Sequence, residues 1–195
     1  MGNAKMYFSK IINNLINIGY KPQAFIVDGA KLGLPQKRKR LFIVAQRNDF
    51  YRNKLLLNFN EKPITFSKIR DDKCDEVTPF STASFQLYMD KRRDDNSFSQ
   101  ICKRNNNKKS WFNYKIIKNN DIVPTICTQA NTTFFINDMC RCINKNELLS
   151  ASSFPKDYNF LNSKLSKVCW LLGMCVPPLM MYKIAEEIKK QLFSM

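Results

Sequence analysis

Between residues 5 and 19, apolar side chains recur at Phe8, Ile11, Ile12, Leu15 and Ile16, in steps of three and four that share one face of a helix. Gly19 stands where such a helix would end. The next apolar runs, residues 23–27 and 41–45, are short, β-branched or aromatic and bounded by turn residues, so they predict buried strands. Residues 28–39, with Gly29, Gly33 and Pro35, read as the loop between them. Over residues 50–121 no apolar period is sustained, and basic clusters punctuate the segment, which predicts a small irregular lobe. Regular patterning returns at Pro124. Residues 133–136 predict a strand, 144–152 a short helix capped near Asn144, and 154–158 a turn. A last helix is expected from Pro178, because a proline costs little where the first-turn amide has no partner. It places Met181, Ile184, Ala185, Ile188 and Leu192 on one face and Glu186, Glu187, Lys189 and Lys190 on the other.

The composition narrows the choice of partner. A chain of 195 residues with 44% hydrophobic content can bury a real core, as one domain or a domain with a smaller lobe. Its 32 Lys and Arg against 16 Asp and Glu give a net charge of +16, a field that favours a polyanion such as nucleic acid or an anionic membrane surface. No N-terminal stretch has signal-peptide character. The longest apolar run, residues 170–182, is interrupted by Pro177 and Pro178, so no helix there spans a bilayer. The chain is expected to be soluble and cytoplasmic. Seven cysteines at irregular spacing fit reduced thiols rather than a disulfide framework, and without any histidine no metal site is expected at Cys140 and Cys142.

Candidate chemistry gathers at Pro35-Gln36-Lys37-Arg38-Lys39-Arg40, directly before the second strand. Alternation along an extended segment puts Gln36, Arg38 and Arg40 on one side and Lys37 and Lys39 on the other. An amide and two guanidinium groups on one face can grip a phosphate or the carbonyl edge of a base. A second signature, Gly173-Met174-Cys175-Val176-Pro177-Pro178, opens the last helix. Two strands alone do not make a stable sheet and leave an edge unpaired, so a covering partner is expected on physical grounds.

These two signatures resemble the eighth and tenth blocks of DNA cytosine-5 methyltransferases, P-Q-x-R-x-R before an apolar strand and G-N-x-V-P-P before a terminal helix. Gly19-Tyr20, Pro124-Thr125-Ile126, Asn146-Glu147-Leu148-Leu149 and Phe154-Pro155-Lys156-Asp157-Tyr158 are similar to intervening family blocks, in family order. The resemblance implies an α/β fold: part of a mostly parallel, Rossmann-like, S-adenosylmethionine-dependent methyltransferase sheet, with a small irregular target-recognition lobe. Residues 1–49 would be the helix and strand portion of the methyltransferase domain and 50–121 the target-recognition region. Residues 122–195 would be a return segment whose terminal helix packs back on the sheet.

In this family the attacking thiol lies in a Pro-Cys dipeptide, the acid in Glu-Asn-Val, and the cofactor in a glycine-rich loop. None of the three occurs here. The resemblance therefore implies the C-terminal, DNA-recognition portion of such an enzyme. It would work with a complementary subunit carrying the catalytic Cys, as in family members divided between two polypeptides. An inactive gene remnant, a cloned fragment and a stand-alone nucleic-acid-binding module are the alternatives. The implied roles put Arg40 at an extruded cytosine in double-stranded DNA, with Arg38 and Gln36 positioning the base and its backbone. Gly173 and Val176 would lie against the S-adenosylmethionine pocket, with Met174 in place of the usual Asn. DNA-contact candidates are Lys37, Lys39, Gln86, Lys91, Arg92, Arg93, Gln100, Lys103, Arg104, Lys108 and Lys109. Among them Gln86, Arg92, Arg93, Gln100 and Arg104 have side chains suited to base edges.

Overall fold

The computed structural model describes residues 4–107 and 111–193. Helix α1, Ala4–Asn17, ends as the apolar pattern predicts: Ile18 N–H bonds Asn14 O, and Gly19 turns the chain at φ 86°, a left-handed conformation that favours glycine. Strands β1, Tyr20–Asp28, and β2, Lys39–Arg47, then pair antiparallel from Tyr20 opposite Arg47 to Asp28 opposite Lys39. Within a sheet expected to be mostly parallel, this pair is antiparallel. The connection of residues 29–38 includes a 3-10 turn, Gly29–Leu32, and is too compact to cross over a sheet; it returns the chain beside the strand it has left.

The two faces of this pair differ. Phe25 and Phe42 are opposite one another and join Val27, Leu32 and Leu34 against Met180 and Ile184 of the last helix. On the other face Ile26 and Leu41 are also opposite one another, yet they remain 77% and 52% exposed. Helix α1 packs against β1 but leaves Met6, Tyr7, Ile11 and Ile16 exposed.

The remaining elements are α2, Thr82–Met89; α3, Phe98–Arg104; β3, Lys115–Ile117; α4, Ala130–Thr133; β4, Phe134–Ile136; α5, Lys145–Ala151; α6, Leu165–Met174; and α7, Pro178–Ile188. Strands β3 and β4 pair in parallel, Lys115 opposite Phe134 through Ile117 opposite Ile136. This pairing crosses the sequence boundary at 121/122, so the irregular lobe is closed by residues from both sides of it. Phe98 stacks on Phe135 at 4.5 Å, and Leu87, Tyr88, Ile101 and Ile116 complete an aromatic core. A larger core joins Phe66 and Ile117 to Ile126, Ile136, Ile143, Leu148, Val168 and Leu172. Each fully buried aliphatic side chain of this kind contributes roughly 1.5–3 kcal/mol.

Local signals set the helix starts. Asn144 accepts from Glu147 N–H while the Glu147 carboxylate accepts from Asn144 N–H, a reciprocal cap that begins α5 as expected. Glu147 is fully buried and also accepts from Arg141 at 2.6 and 2.8 Å and from Asp71 N–H. Pro178 begins α7, but the helix is rotated relative to the predicted face: Met180 is buried and Met181 is 48% exposed. Residues 165–193 taken as one span would be long and apolar enough to cross a membrane. The chain instead breaks at Cys175-Val176-Pro177, leaving α6 of 10 residues and α7 of 11 residues continued by the 5-residue π turn Lys189–Phe193, each segment too short to do so.

Candidate functional site

The basic run before β2 does not present a fork of alternating side chains. Gln36 and Arg38 are both fully buried, which corrects the expectation that they face a ligand beside Arg40. Gln36 Nε2 donates to Ala151 O at 3.0 Å, and its Oε1 accepts from Ile126 N–H at 3.1 Å. The Arg38 guanidinium donates to Ile126 O at 3.1 Å, Gly173 O at 2.8 Å and Cys175 O at 2.6 Å, and contacts Gln36 Oε1 at 3.3 Å. Burial, with the nearby Arg40 charge, pulls the Arg38 pKa down to about 10, still far enough above neutrality to keep the cation. No carboxylate pairs with it among the described residues. Backbone carbonyls at the C-terminal end of α6, where the helix dipole is negative, stabilise the charge instead. The two signatures read separately in the sequence are therefore one buried network. It ties the start of β2 to the α6–α7 junction, to Ile126 and to the end of α5.

This clamp also explains Gly173. A Cβ there would lie 2.7 Å from Thr128 N and 2.8 Å from Cys127 C, so the missing side chain is space taken by the chain's own backbone. Val176 is partly exposed and Met174 largely so. With Gly173 filled from inside, and without a glycine-rich loop, these residues do not by themselves form a site for S-adenosylmethionine. Cys175 donates to Leu172 O, and burial raises its pKa, a packed thiol rather than an activated one.

With Gln36 and Arg38 turned inward, Lys37, Lys39 and Arg40 remain outside. Together with Asp28 and Thr125 they line an open cleft of about 460 Å³. Lys37 N–H bonds Val123 O at 2.8 Å, and the Thr125 hydroxyl donates to Lys37 O, so the backbone bearing these cations is fixed by residues 123–125. Asp28 accepts from Ala30 N–H, and Arg40 donates to Lys39 O. Lys37 also lines a second cleft of about 440 Å³, shared with Gln100, Lys103, Lys115 and Asp121. The two clefts thus adjoin at Lys37. None of Lys37, Lys39, Arg40, Lys103 and Lys115 forms an ion pair among the described residues, whose pairs use other cations. Asp121 accepts from Lys118 N–H.

The other DNA-contact candidates divide. Arg104 is not available to bases: it donates twice to Asp95 at 2.9 Å and to Asp90 O at 2.7 Å, bracing the turn between α2 and α3. Gln100 uses its Oε1 to accept from Asn96 and Ser97 N–H and so caps α3, leaving its amide nitrogen beside the second cleft. Arg92 and Arg93 are exposed on the loop after α2, Gln86 is exposed on α2, and the Lys91 ammonium sits 4.3 Å above the Tyr88 ring. Neither cleft includes these four residues. Lys108 and Lys109 lie outside the described residues. Sequence reasoning missed Lys115 and Thr125 as cleft residues. Thr125 belongs to the Pro124-Thr125-Ile126 signature, whereas Lys115 carries no local signal.

Known proteins resemble this chain over most of its length. The Type II methyltransferase M.MspI of Moraxella sp. is 27% identical over 180 residues, 91% of this chain, but the match spans only 40% of that protein. Among solved structures, the Entamoeba histolytica methyltransferase EhMeth superposes with a TM-score of 0.65 at 17% identity, over 96% of this chain and 59% of its own. Spodoptera frugiperda DNMT2 superposes with a TM-score of 0.63 at 16% identity, over 93% of this chain and 62% of its own. The fold is accordingly a portion of the α/β S-adenosylmethionine-dependent methyltransferase fold. The profile of the C-5 cytosine-specific DNA methylases matches residues 2–190, and the chain that joins its two signatures through Arg38 belongs to that family.

Proposed function

We propose that this chain supplies the DNA-binding and base-positioning portion of a cytosine-5 methyltransferase and acts with a complementary polypeptide. That partner would carry the Pro-Cys thiol, the Glu-Asn-Val acid and the loop for S-adenosylmethionine, which provides the methyl group. In this reading a duplex lies along the adjoining clefts, with Lys37, Lys39, Lys103 and Lys115 toward its phosphates. Arg40 faces the extruded cytosine and donates to its carbonyl oxygen. Residues 50–121 act as the target-recognition lobe, with the exposed Gln86, Arg92 and Arg93 as its outer contacts. The partner covers the face of the strand pair marked by Ile26 and Leu41 and the exposed side of α1.

One observation carries this reading: burial of Gln36 and Arg38 leaves Arg40 and two lysines together in an open cleft with no ion-pair partner among the described residues. Such a cleft is arranged for a polyanion. The test is transfer of a tritiated methyl group to duplex DNA by the chain alone, by a complementary fragment bearing the two missing motifs, and by their mixture. Only the mixture should turn over. Turnover by the pure chain would contradict the division of labour, and a mixture that never forms a complex would remove the partner.

A further inference from the structure

Phe112 is 76% exposed, at the corner of a tight turn. Tyr114 N–H closes that turn on Trp111 O at 3.1 Å, and turn corners of this kind ordinarily carry polar residues, glycine or proline. The two ends of the turn, Trp111 and Tyr114, are anchored. Trp111 packs edge-on to Tyr114 at 4.5 Å and lies 5.8 Å from Phe98, while Tyr114 stacks on Phe98 at 5.6 Å. A rigid aromatic base thus holds an apolar ring in solvent, where it contributes little to folding. The ring also has a defined position. The Lys115 ammonium donates to Phe112 O at 3.2 Å and lies 5.5 Å from the Phe112 ring centroid, and Lys115 lines the basic cleft shared with Lys37, Gln100 and Lys103. Phe112 therefore stands at the rim of that cleft, where phosphates held by the lysines would bring base steps within reach of the ring.

We infer that Phe112 is a wedge that enters the base stack of DNA held in this cleft. The inference rests on the function proposed above and adds a stacking contact to its electrostatic ones. Apolar rings inserted at a base step cost partial unstacking, and they favour DNA in which that cost is already met. Lys115 gives one N–H to the Phe112 carbonyl and keeps two for phosphate oxygens.

The test measures binding of the full chain to two fluorescein-labelled duplexes of the same sequence, one intact and one with a central abasic position, across a salt series. Wild type should prefer the abasic duplex. Phe112→Ala should lose that preference and bind the abasic duplex about 5- to 150-fold more weakly, the range of base–aromatic stacking. Its salt dependence should stay unchanged, and Phe112→Trp should restore the preference. Lys103→Gln should keep the preference and lower the salt slope by about one. A Phe112→Ala protein that binds both duplexes as wild type does, while Lys103→Gln still lowers the slope, would overturn the wedge and leave the cleft reading intact. A wild-type chain that binds neither duplex would overturn both.

Discussion

The strand pair and the lobe solve the same problem of burial to different degrees. In the lobe and the helices beneath it, Phe66, Phe98, Phe135, Ile143 and Leu148 are enclosed by residues of this chain, and the buried Glu147 carboxylate is paired with Arg141. In the N-terminal region α7 covers a single face of β1 and β2, while Ile26, Leu41 and much of α1 stay in solvent. The exposed apolar pair Ile26 and Leu41 is the surface that the proposed partner would cover. The difference teaches that the two regions reach different degrees of closure within this chain. In the function proposed above, the closed region would read DNA and the open strand pair would be completed by the partner. Arg38 joins the two regions, reaching from the start of β2 to the end of α6.

The contrast can be broken most strongly inside the closed region. Glu147→Ala removes a fully buried carboxylate and leaves Arg141 and two backbone amides without their acceptor, so stability should fall by about 3–5 kcal/mol. Chemical denaturation of the variant and of wild type reads this difference; a change below about 1 kcal/mol would show that the lobe is less closed than described. Gly173→Ala should cost about 1–3 kcal/mol by pushing a methyl into the Cys127–Thr128 backbone. The same denaturation curves report it, and a neutral result would remove the packing explanation for this glycine.

Acid should act on the junction between residues 70–72 and α5. Hydrogen bonds from Asn146, Lys156 and Lys73 N–H hold the Asp71 carboxyl down to about 2. A carboxyl whose folded pKa is depressed adds stability above its ordinary value near 4, and that contribution is lost as pH falls from about 4 toward 2. Asp71→Asn should therefore lower thermal stability at neutral pH, flatten its fall across that window, and converge with wild type near pH 2. An acid limb as steep as wild type's would assign the loss to other carboxylates. The smallest effect is expected on the open face. Ile26→Ser should leave the stability of this chain within about 0.5 kcal/mol, yet weaken co-elution with a complementary methyltransferase fragment in size-exclusion chromatography. A destabilised chain would mean that this face is already covered.

Much of this architecture is legible locally. The apolar steps of α1 and its stop at Gly19, the Asn144–Glu147 cap and the start of α7 at Pro178 each depend on neighbours within four residues, and each appears where the pattern places it. Ser97-Phe98-Ser99-Gln100 carries an equally readable helix-start signal for α3 that the irregular composition of the lobe obscures. The inward turn of Arg38 is different. Strict alternation holds along a regular strand, but β2 begins only at Lys39, and the carbonyls that accept from Arg38 lie 88 to 137 residues away in sequence. No local pattern announces that a guanidinium will be held by carbonyls at the end of a distant helix. The closing of the lobe by β4 is hidden for the same reason, because a three-residue parallel pairing has no signature in either partner alone.

The most direct test compares Arg38→Lys with Arg40→Lys in the reconstituted methyltransferase, measuring melting temperature and methyl transfer on the same preparations. A lysine keeps the charge but cannot reach three carbonyls in a fixed fork. Arg38→Lys should therefore lower the melting temperature of this chain by several degrees, as expected for about 2–3 kcal/mol in a domain of this size. Arg40→Lys should melt as wild type does while methyl transfer falls by about tenfold or more, because an ammonium keeps the charge but not the fixed donor fork aimed at the base. Equal melting losses in the two variants, or full turnover by Arg40→Lys, would contradict the division between a buried clamp and an exposed working face.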